Sequence, residues 1–240
     1  MTARLRAFGT FGAVLLLAFV AACAAAPSAH AARVGAQFRY WAFADGNDLR
    51  NPLVYVTTRH FDLQLERWDA EQGFDQTRAE FGVHAKDARR SAYFARWRHE
   101  RSQERAWFGT EQVAGERTVL RATAGPILPH GGGATLFVWE GGADVYWGSY
   151  SFAGATIVRD PREGGLWAAP VRARFANERN DWLQLAVAPA SKRTFGWAVD
   201  GKWRVLRAGV ERNSRFDFTT RDNVIFTLGF EREFGRDARE

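Results

Sequence analysis

The feature that most constrains this chain is its last strand-like run, Val224 to Phe234, in which two kinds of residue alternate without a break. Val224, Phe226, Leu228, Phe230 and Phe234 share one parity, with Arg232 its only polar member, while Ile225, Thr227, Gly229, Glu231 and Glu233 share the other. A period of two places successive side chains on opposite faces of a strand; on a helix it would scatter the apolar residues around the cylinder. One face is therefore apolar and the other small or charged. A soluble sandwich turns such an apolar face to a core, whereas a bilayer accepts it turned outwards around a closed barrel.

The N-terminus chooses between those environments. Arg4 and Arg6 precede an apolar run, Phe11 to Ala22, that is too short to cross a bilayer as a helix. Pro27-Ser28-Ala29-His30-Ala31 then supplies an Ala-x-Ala arrangement, so residues 1–31 read as a signal peptide cleaved after Ala31. Val20-Ala21-Ala22-Cys23 offers a competing reading, since small residues ending in cysteine resemble a bacterial lipoprotein signal. Cleavage after Ala31 removes Cys23, the one cysteine, and leaves no disulfide or thiol chemistry.

Residues 32–240 then suffice for one β domain. No later stretch is an apolar helix of spanning length, so strands must do any spanning. Ten Trp, 19 Phe and 23 Gly against one Met suit aromatic girdles and tight turns. Without Arg4 and Arg6, 31 basic residues stand against 27 acidic ones, a net of about +4. That excess is mild and interleaved with Asp and Glu, which excludes nucleic acid as a partner.

The remaining segments repeat the alternation. Ala36 to Phe43 ends at Asp45-Gly46-Asn47-Asp48, a plain turn that lacks the downstream glutamate of a calcium loop. In Leu53 to Trp68, long for one strand, Phe61, Leu63 and Leu65 oppose Asp62, Gln64 and Glu66. Ala79, Phe81, Val83 and Ala85 oppose Arg78, Glu80, Gly82, His84 and Lys86, and Asp87 to Arg90 turns the chain into Ser91 to Arg101. There Tyr93, Ala95, Trp97 and His99 oppose Phe94, Arg96, Arg98 and Glu100. Ala114-Gly115-Glu116 reads as a hairpin loop, Pro126 to Gly133 as a loop, and Gly141 to Asp144 as a divider between two strands of weak alternation. In Leu166 to Ala176, Trp167, Ala169, Val171, Ala173 and Phe175 oppose Arg172 and Arg174. Asn177 to Asn180 turns it into a strand with Leu183, Leu185 and Val187 on one side. Asp200-Gly201 is the strongest two-residue hairpin signal, and it leads to Leu206, Ala208 and Val210 opposing Arg207, Gly209 and Glu211. The expected fold is all-β: a closed antiparallel up-and-down transmembrane β-barrel of about 12 strands, with ten as the alternative.

Three short motifs carry a family resemblance. Tyr146-Trp147-Gly148-Ser149-Tyr150, Asn180-Asp181-Trp182-Leu183-Gln184-Leu185, and Asp217-Phe218-Thr219-Thr220-Arg221 ahead of the closing run resemble the YaiO-like outer-membrane β-barrel family over residues 134–234. The resemblance implies an outer-membrane barrel connected with envelope or polysaccharide functions, and supplies no catalytic residues. One departure is that Gly235 to Glu240 continue past the aromatic residue on which such barrels end.

With apolar faces to lipid, Arg96, Arg98, Arg172, Arg174 and Arg207 point into the lumen, along with Glu80, Glu100, Glu211, Glu231 and Glu233. One reading pairs these charges with one another to offset desolvation. The other makes the arginines a path for anions such as acidic saccharides, whose carboxylates a guanidinium grips in a bidentate fork. Arg172 and Arg174 have no acidic residue on their own inner face or on that of Gln184, Ala186 and Ala188, so a local positive field is expected there.

An enzyme acting on envelope lipid is the rival class. His130-Gly131-Gly132-Gly133 matches the oxyanion loop of some esterases, but no Gly-x-Ser-x-Gly elbow accompanies it, and the histidines show no Ser-His-acid spacing. His84 near Glu80 and His60 beside Asp62 read as structural contacts. No metal-ligand spacing or phosphate loop is present, so no catalytic residue, metal or cofactor is expected. Expected partners are outer-membrane lipid and lipopolysaccharide, the barrel assembly machinery and an anionic saccharide cargo. A closed structural barrel, or a polysaccharide accessory without transport, is the remaining alternative.

Overall fold

The alternation closes on itself. The computed structural model describes residues 32–70, 73, 75–86, 91–161, 165–191, 195–213 and 222–234. Fifteen strand segments form one antiparallel sheet: β1 (Ala32–Phe43), β2 (Leu49–Thr57), β3 (Phe61–Ala70), β4 (Asp75–Lys86), β5 (Ser91–Glu100), β6 (Gln103–Ala114), β7 (Thr118–Pro129), β8 (Leu136–Tyr146), β9 (Phe152–Asp160), β10 (Leu166–Ala168), β11 (Val171–Ala176), β12 (Trp182–Pro189), β13 (Phe195–Trp203), β14 (Leu206–Arg212) and β15 (Asn223–Phe234). Each pairs with its neighbour in the chain, and β15 returns to β1 with Ala32 opposite Phe234 and Phe43 opposite Asn223.

β10 and β11 are two halves of one stave. Ala168 faces Val158 and Val171 faces Ala155 on β9, a register that does not shift across the gap. Pro170, which has no N–H to give, interrupts the ladder there without bulging it. The barrel therefore has fourteen staves, an even number. The expectations of about 12 and of ten were both low, because one long expected strand is two staves, and other boundaries lay elsewhere than the turn-like residues suggest. Leu53 to Trp68 is divided at Thr58 to His60, where Thr58 Oγ1 accepts the backbone N–H of Phe61. Gly141 to Asp144 lies inside β8, and Pro126 to Pro129 inside β7. Asp200-Gly201 likewise sits within β13; the chain turns at Arg204-Val205, with Arg204 at φ 55°. Asp200 is an inward carboxylate rather than a turn residue, because its parity places it among the lumen side chains.

Turns read from sequence do occur at Asp45 to Asp48, Ala114 to Glu116 and Asn177 to Asn180, with Gly46 at φ 75°, Gly115 at 77° and Asn180 at 58°. The signal peptide, the Asp87 to Arg90 turn, the Asp217 to Arg221 motif and the tail after Phe234 lie outside the described residues.

The two faces sort as the alternation predicts. Phe61, Leu63, Phe81, Val83, Tyr93, Trp97, Leu183, Leu185, Phe226 and Leu228 are exposed on the outer wall, while Ile225, Thr227 and Glu231 of the closing strand are buried within. At the end away from both termini the lumen holds an apolar cluster of Trp41, Phe43, Leu49, Trp68, Ala70 and Ile225. Trp41 and Trp68 meet there with ring centroids 5.2 Å apart.

Candidate lumen binding site

Parity alone turns charge inwards, so the site follows from the staves. Across β1 to β5 the inward charges form a ladder of alternating sign. Arg39 lies 3.8 Å from Glu66, which Arg78 contacts at 3.2 Å; Arg78 Nε lies 3.2 Å from Glu100, and Arg98 is 3.6 Å from Glu100 and 2.6 Å from Glu80. Asn51 donates to Glu66 at 3.3 Å and to the Arg67 carbonyl at 3.0 Å, and the Arg78 guanidinium stacks 4.4 Å over Trp68. Glu66 and Glu100 are each only 3% exposed, so each carboxylate depends on its arginines to offset lost hydration.

All five arginines named from sequence face the lumen, and the structure gives each a different partner. Arg98 is held by Glu80 and Glu100. Arg96 lies 3.5 Å from Asp62, which His84 also contacts. Arg207 is bound by Asp200. Arg172 meets Asp144 at 3.1 Å, and Arg121 meets the same carboxylate at 3.1 Å. Arg174 bonds the amide oxygen of Gln184 at 2.8 and 3.0 Å and stacks 4.3 Å over Trp182. Arg172 thus finds a carboxylate that neither its own inner face nor the adjoining one supplies. The reason is reach: Asp144 sits on β8, two staves from β11, beyond the adjacent strands that the sequence argument considered.

Two cavities open between these walls. One, of about 360 Å³, is lined by Arg33, Arg39, Arg96 and Arg207 against Asp62, Glu80 and Glu231, with Tyr55 and His84 at its side. The other, of about 240 Å³, is lined by Arg96, Arg98 and Arg105 against Glu140, beside Trp107. Arg96 borders both. In each, the lining holds more guanidinium groups than carboxylates.

His84 contacts Asp62 across the strands rather than Glu80 on its own. Sequence reasoning missed Tyr55, whose hydroxyl donates to Glu231 at 2.5 Å, and Lys202, 3.3 Å from the same carboxylate. Their parity opposite outward Val54 and Trp203 was the available signal. Among the described residues, one group of histidines and acids converges within metal-binding distance, His99, Glu104 and His130, at the loop end of the outer wall.

No family model matches the chain, and no curated protein matches it. Solved structures do. The KdgM porin is similar with a TM-score of 0.52 at 9% identity, over 82% of this chain and 98% of that one. The toluene transporter TodX of Pseudomonas putida is similar with a TM-score of 0.53 at 9% identity, over 87% and 89%. A deltaS2S3 mutant of TodX, described as a monoaromatic hydrocarbon channel, gives 0.54 at 9% identity over 88% and 91%. At such identities the likeness is one of architecture: this chain has the fold of the outer-membrane β-barrel porins.

Proposed function

We propose that the protein is an outer-membrane channel whose lumen admits anionic solutes, with acidic saccharides as the candidate class. The observation that carries this reading is the pair of cavities sharing Arg96, each lined by more arginines than carboxylates. Guanidinium forks suit sugar carboxylates, and rings of arginine favour anions in pores. The fold supports it, since the KdgM porin of like architecture has been solved in complex with disordered oligogalacturonate. Placement in the outer membrane, export by a signal cleaved after Ala31 and kinship with the YaiO-like family belong to the same proposal, as do contacts with lipopolysaccharide and the assembly machinery.

A closed structural barrel is the second reading, favoured by the ladder from Arg39 to Glu80, which neutralises much of the lumen charge. Planar-bilayer recordings on the refolded wild type separate the two. The channel reading expects conductance with anion preference, falling when Arg96 and Arg174 become glutamine. Cation preference, or no conductance from a well-folded barrel, overturns it.

A further inference from the structure

We propose that His99, Glu104 and His130 form a site for a divalent first-row transition metal ion, zinc in the first instance, on the outer wall at the loop end of the barrel. The register assembles it. His99 near the end of β5 pairs with Glu104 near the start of β6, and Glu104 pairs with Leu128 near the end of β7. His130 follows two residues later, where its backbone N–H donates to the Ser102 carbonyl at 2.8 Å and draws the loop over the β5–β6 turn.

Three Lewis bases then converge. His99 Nδ1 lies 2.6 Å from Glu104 Oε1, His130 Nε2 lies 3.1 Å from the same oxygen, and all three ligand atoms are within 4.8 Å of one another. His130 Nδ1 sits 3.1 Å from the Arg101 carbonyl. By donating its proton there, the ring leaves Nε2 with a lone pair aimed at a carboxylate, an arrangement that needs a cation or a second proton between them. A carbonyl that fixes the tautomer in this way is the usual support of a metal-bound imidazole.

A second, independent observation points to a ligand. The other carboxylate oxygen, Glu104 Oε2, is buried and has no hydrogen-bond partner among the described residues. An ion held by the carboxylate offsets that loss. Two imidazole nitrogens with one carboxylate suit zinc, copper and nickel rather than magnesium or calcium, and three protein ligands leave a position for water. No sequence spacing announces the site, because its ligands come from two strands and a loop. The bound ion ties the β5–β6 hairpin to the loop after β7, outside the lumen and independently of any conductance.

The test titrates zinc into the untagged, refolded barrel by calorimetry, with circular dichroism confirming the fold of each variant. One ion per barrel is expected, with affinity at least tenfold weaker in Glu104→Gln and in His130→Ala and unchanged in His60→Ala, which alters a histidine between β2 and β3. Trp97, whose ring centroid is 6.0 Å from that of His99, supplies a second readout. Copper should quench a share of the fluorescence that disappears in both Trp97→Phe and His130→Ala. Absence of saturable zinc binding, or equal affinity in wild type, Glu104→Gln and His130→Ala, overturns the proposal and leaves plain imidazolium–carboxylate pairs.

Discussion

Asp144 on β8 reaches Arg172 on β11, 3.1 Å away, across a whole intervening stave, because the residue between them on β9 is Gly154. A Cβ at Gly154 would lie 1.8 Å from Asp144 Oδ1. Gly82 does the same for Asp62 and Arg96, since it pairs with both and its Cβ would meet Asp62 Oδ2 at 2.3 Å. In a narrow lumen an inward glycine is thus the space through which a charge pair is made.

Replacing Gly154 by alanine should therefore separate Asp144 from Arg172 and overpack the wall, costing about 1–3 kcal/mol. Urea unfolding in lipid vesicles measures it. Gly141 points outwards from β8 with only the Arg121 carbonyl near its Cβ position, at 3.8 Å, and is the control. Equal stability of Gly154→Ala and Gly141→Ala would remove the role assigned to Gly154.

The closing strand sets inside against outside most sharply. Leu228 is 65% exposed on the outer wall and its neighbour Thr227 is buried in the lumen. Leu228→Arg should cost ~2–4 kcal/mol if the residue lies near the bilayer midplane. Thr227→Ser removes only a methyl and should cost little. The same vesicle unfolding assay checks both, and equal tolerance would contradict the lipid-facing assignment.

Glu66 holds the centre of the ladder, between Arg39 and Arg78. Glu66→Ala leaves Arg78 dependent on Glu100 and takes one of its acceptors from the Asn51 amide, so a loss of about 3–5 kcal/mol is expected, as for breaking a buried pair by removing one partner. Glu233, a half-exposed carboxylate 3.6 Å from Lys202, provides the contrast. Its alanine variant should lose about 1 kcal/mol or less. Comparable midpoints for the two variants would show that the ladder does not stabilise the barrel.

At the turn end, Asp181 accepts the backbone N–H of Arg204 and a hydrogen bond from Asn177, tying two neighbouring turns together. Those contacts, the Arg204 N–H foremost, hold its carboxyl below the usual aspartate range. A depressed carboxylate contributes its stabilisation above the unfolded value of about 3.9 and loses it as pH falls through the lower folded value. The difference in unfolding midpoint between wild type and Asp181→Ala should accordingly be present at neutral pH and close on acidification. A difference that persists unchanged in acid would rule out the carboxylate as its cause.

The wall was legible from sequence to the extent that it is periodic. Phe61, Trp97, Leu185 and Leu228 declare their faces by parity alone, and parity also turned all five chosen arginines inwards. Turn chemistry misled where glycine and proline serve the strand itself. Asp200-Gly201 places a carboxylate beside Arg207 inside β13, and the strand number fell short because the break at Thr58 to His60, which divides Leu53 to Trp68 into two staves, contains neither glycine nor proline. Pairings such as Asp144 with Arg172, or His99 with Glu104 and His130, depend on which staves become neighbours and in what register. No local window carries that information.

Asp144 also offers the most direct test of the lumen field, because it neutralises two arginines at once. Arg121 and Arg172 each lie 3.1 Å from it, and Arg121 also reaches the Thr156 hydroxyl, at 3.4 Å. Asp144→Asn keeps the shape and the acceptor oxygen while removing the negative charge, so both guanidiniums become uncompensated toward the lumen. In a conducting barrel, anion preference should rise in Asp144→Asn and fall in Arg174→Gln, which removes a cation held by the Gln184 amide and the Trp182 ring. Raising the salt concentration should shrink both shifts, since the field is screened over about 10 Å at 0.1 M ionic strength. Reversal potentials under a salt gradient in planar bilayers measure all three effects. Shifts of the same sign in the two variants would mean that selectivity is set elsewhere than at this wall.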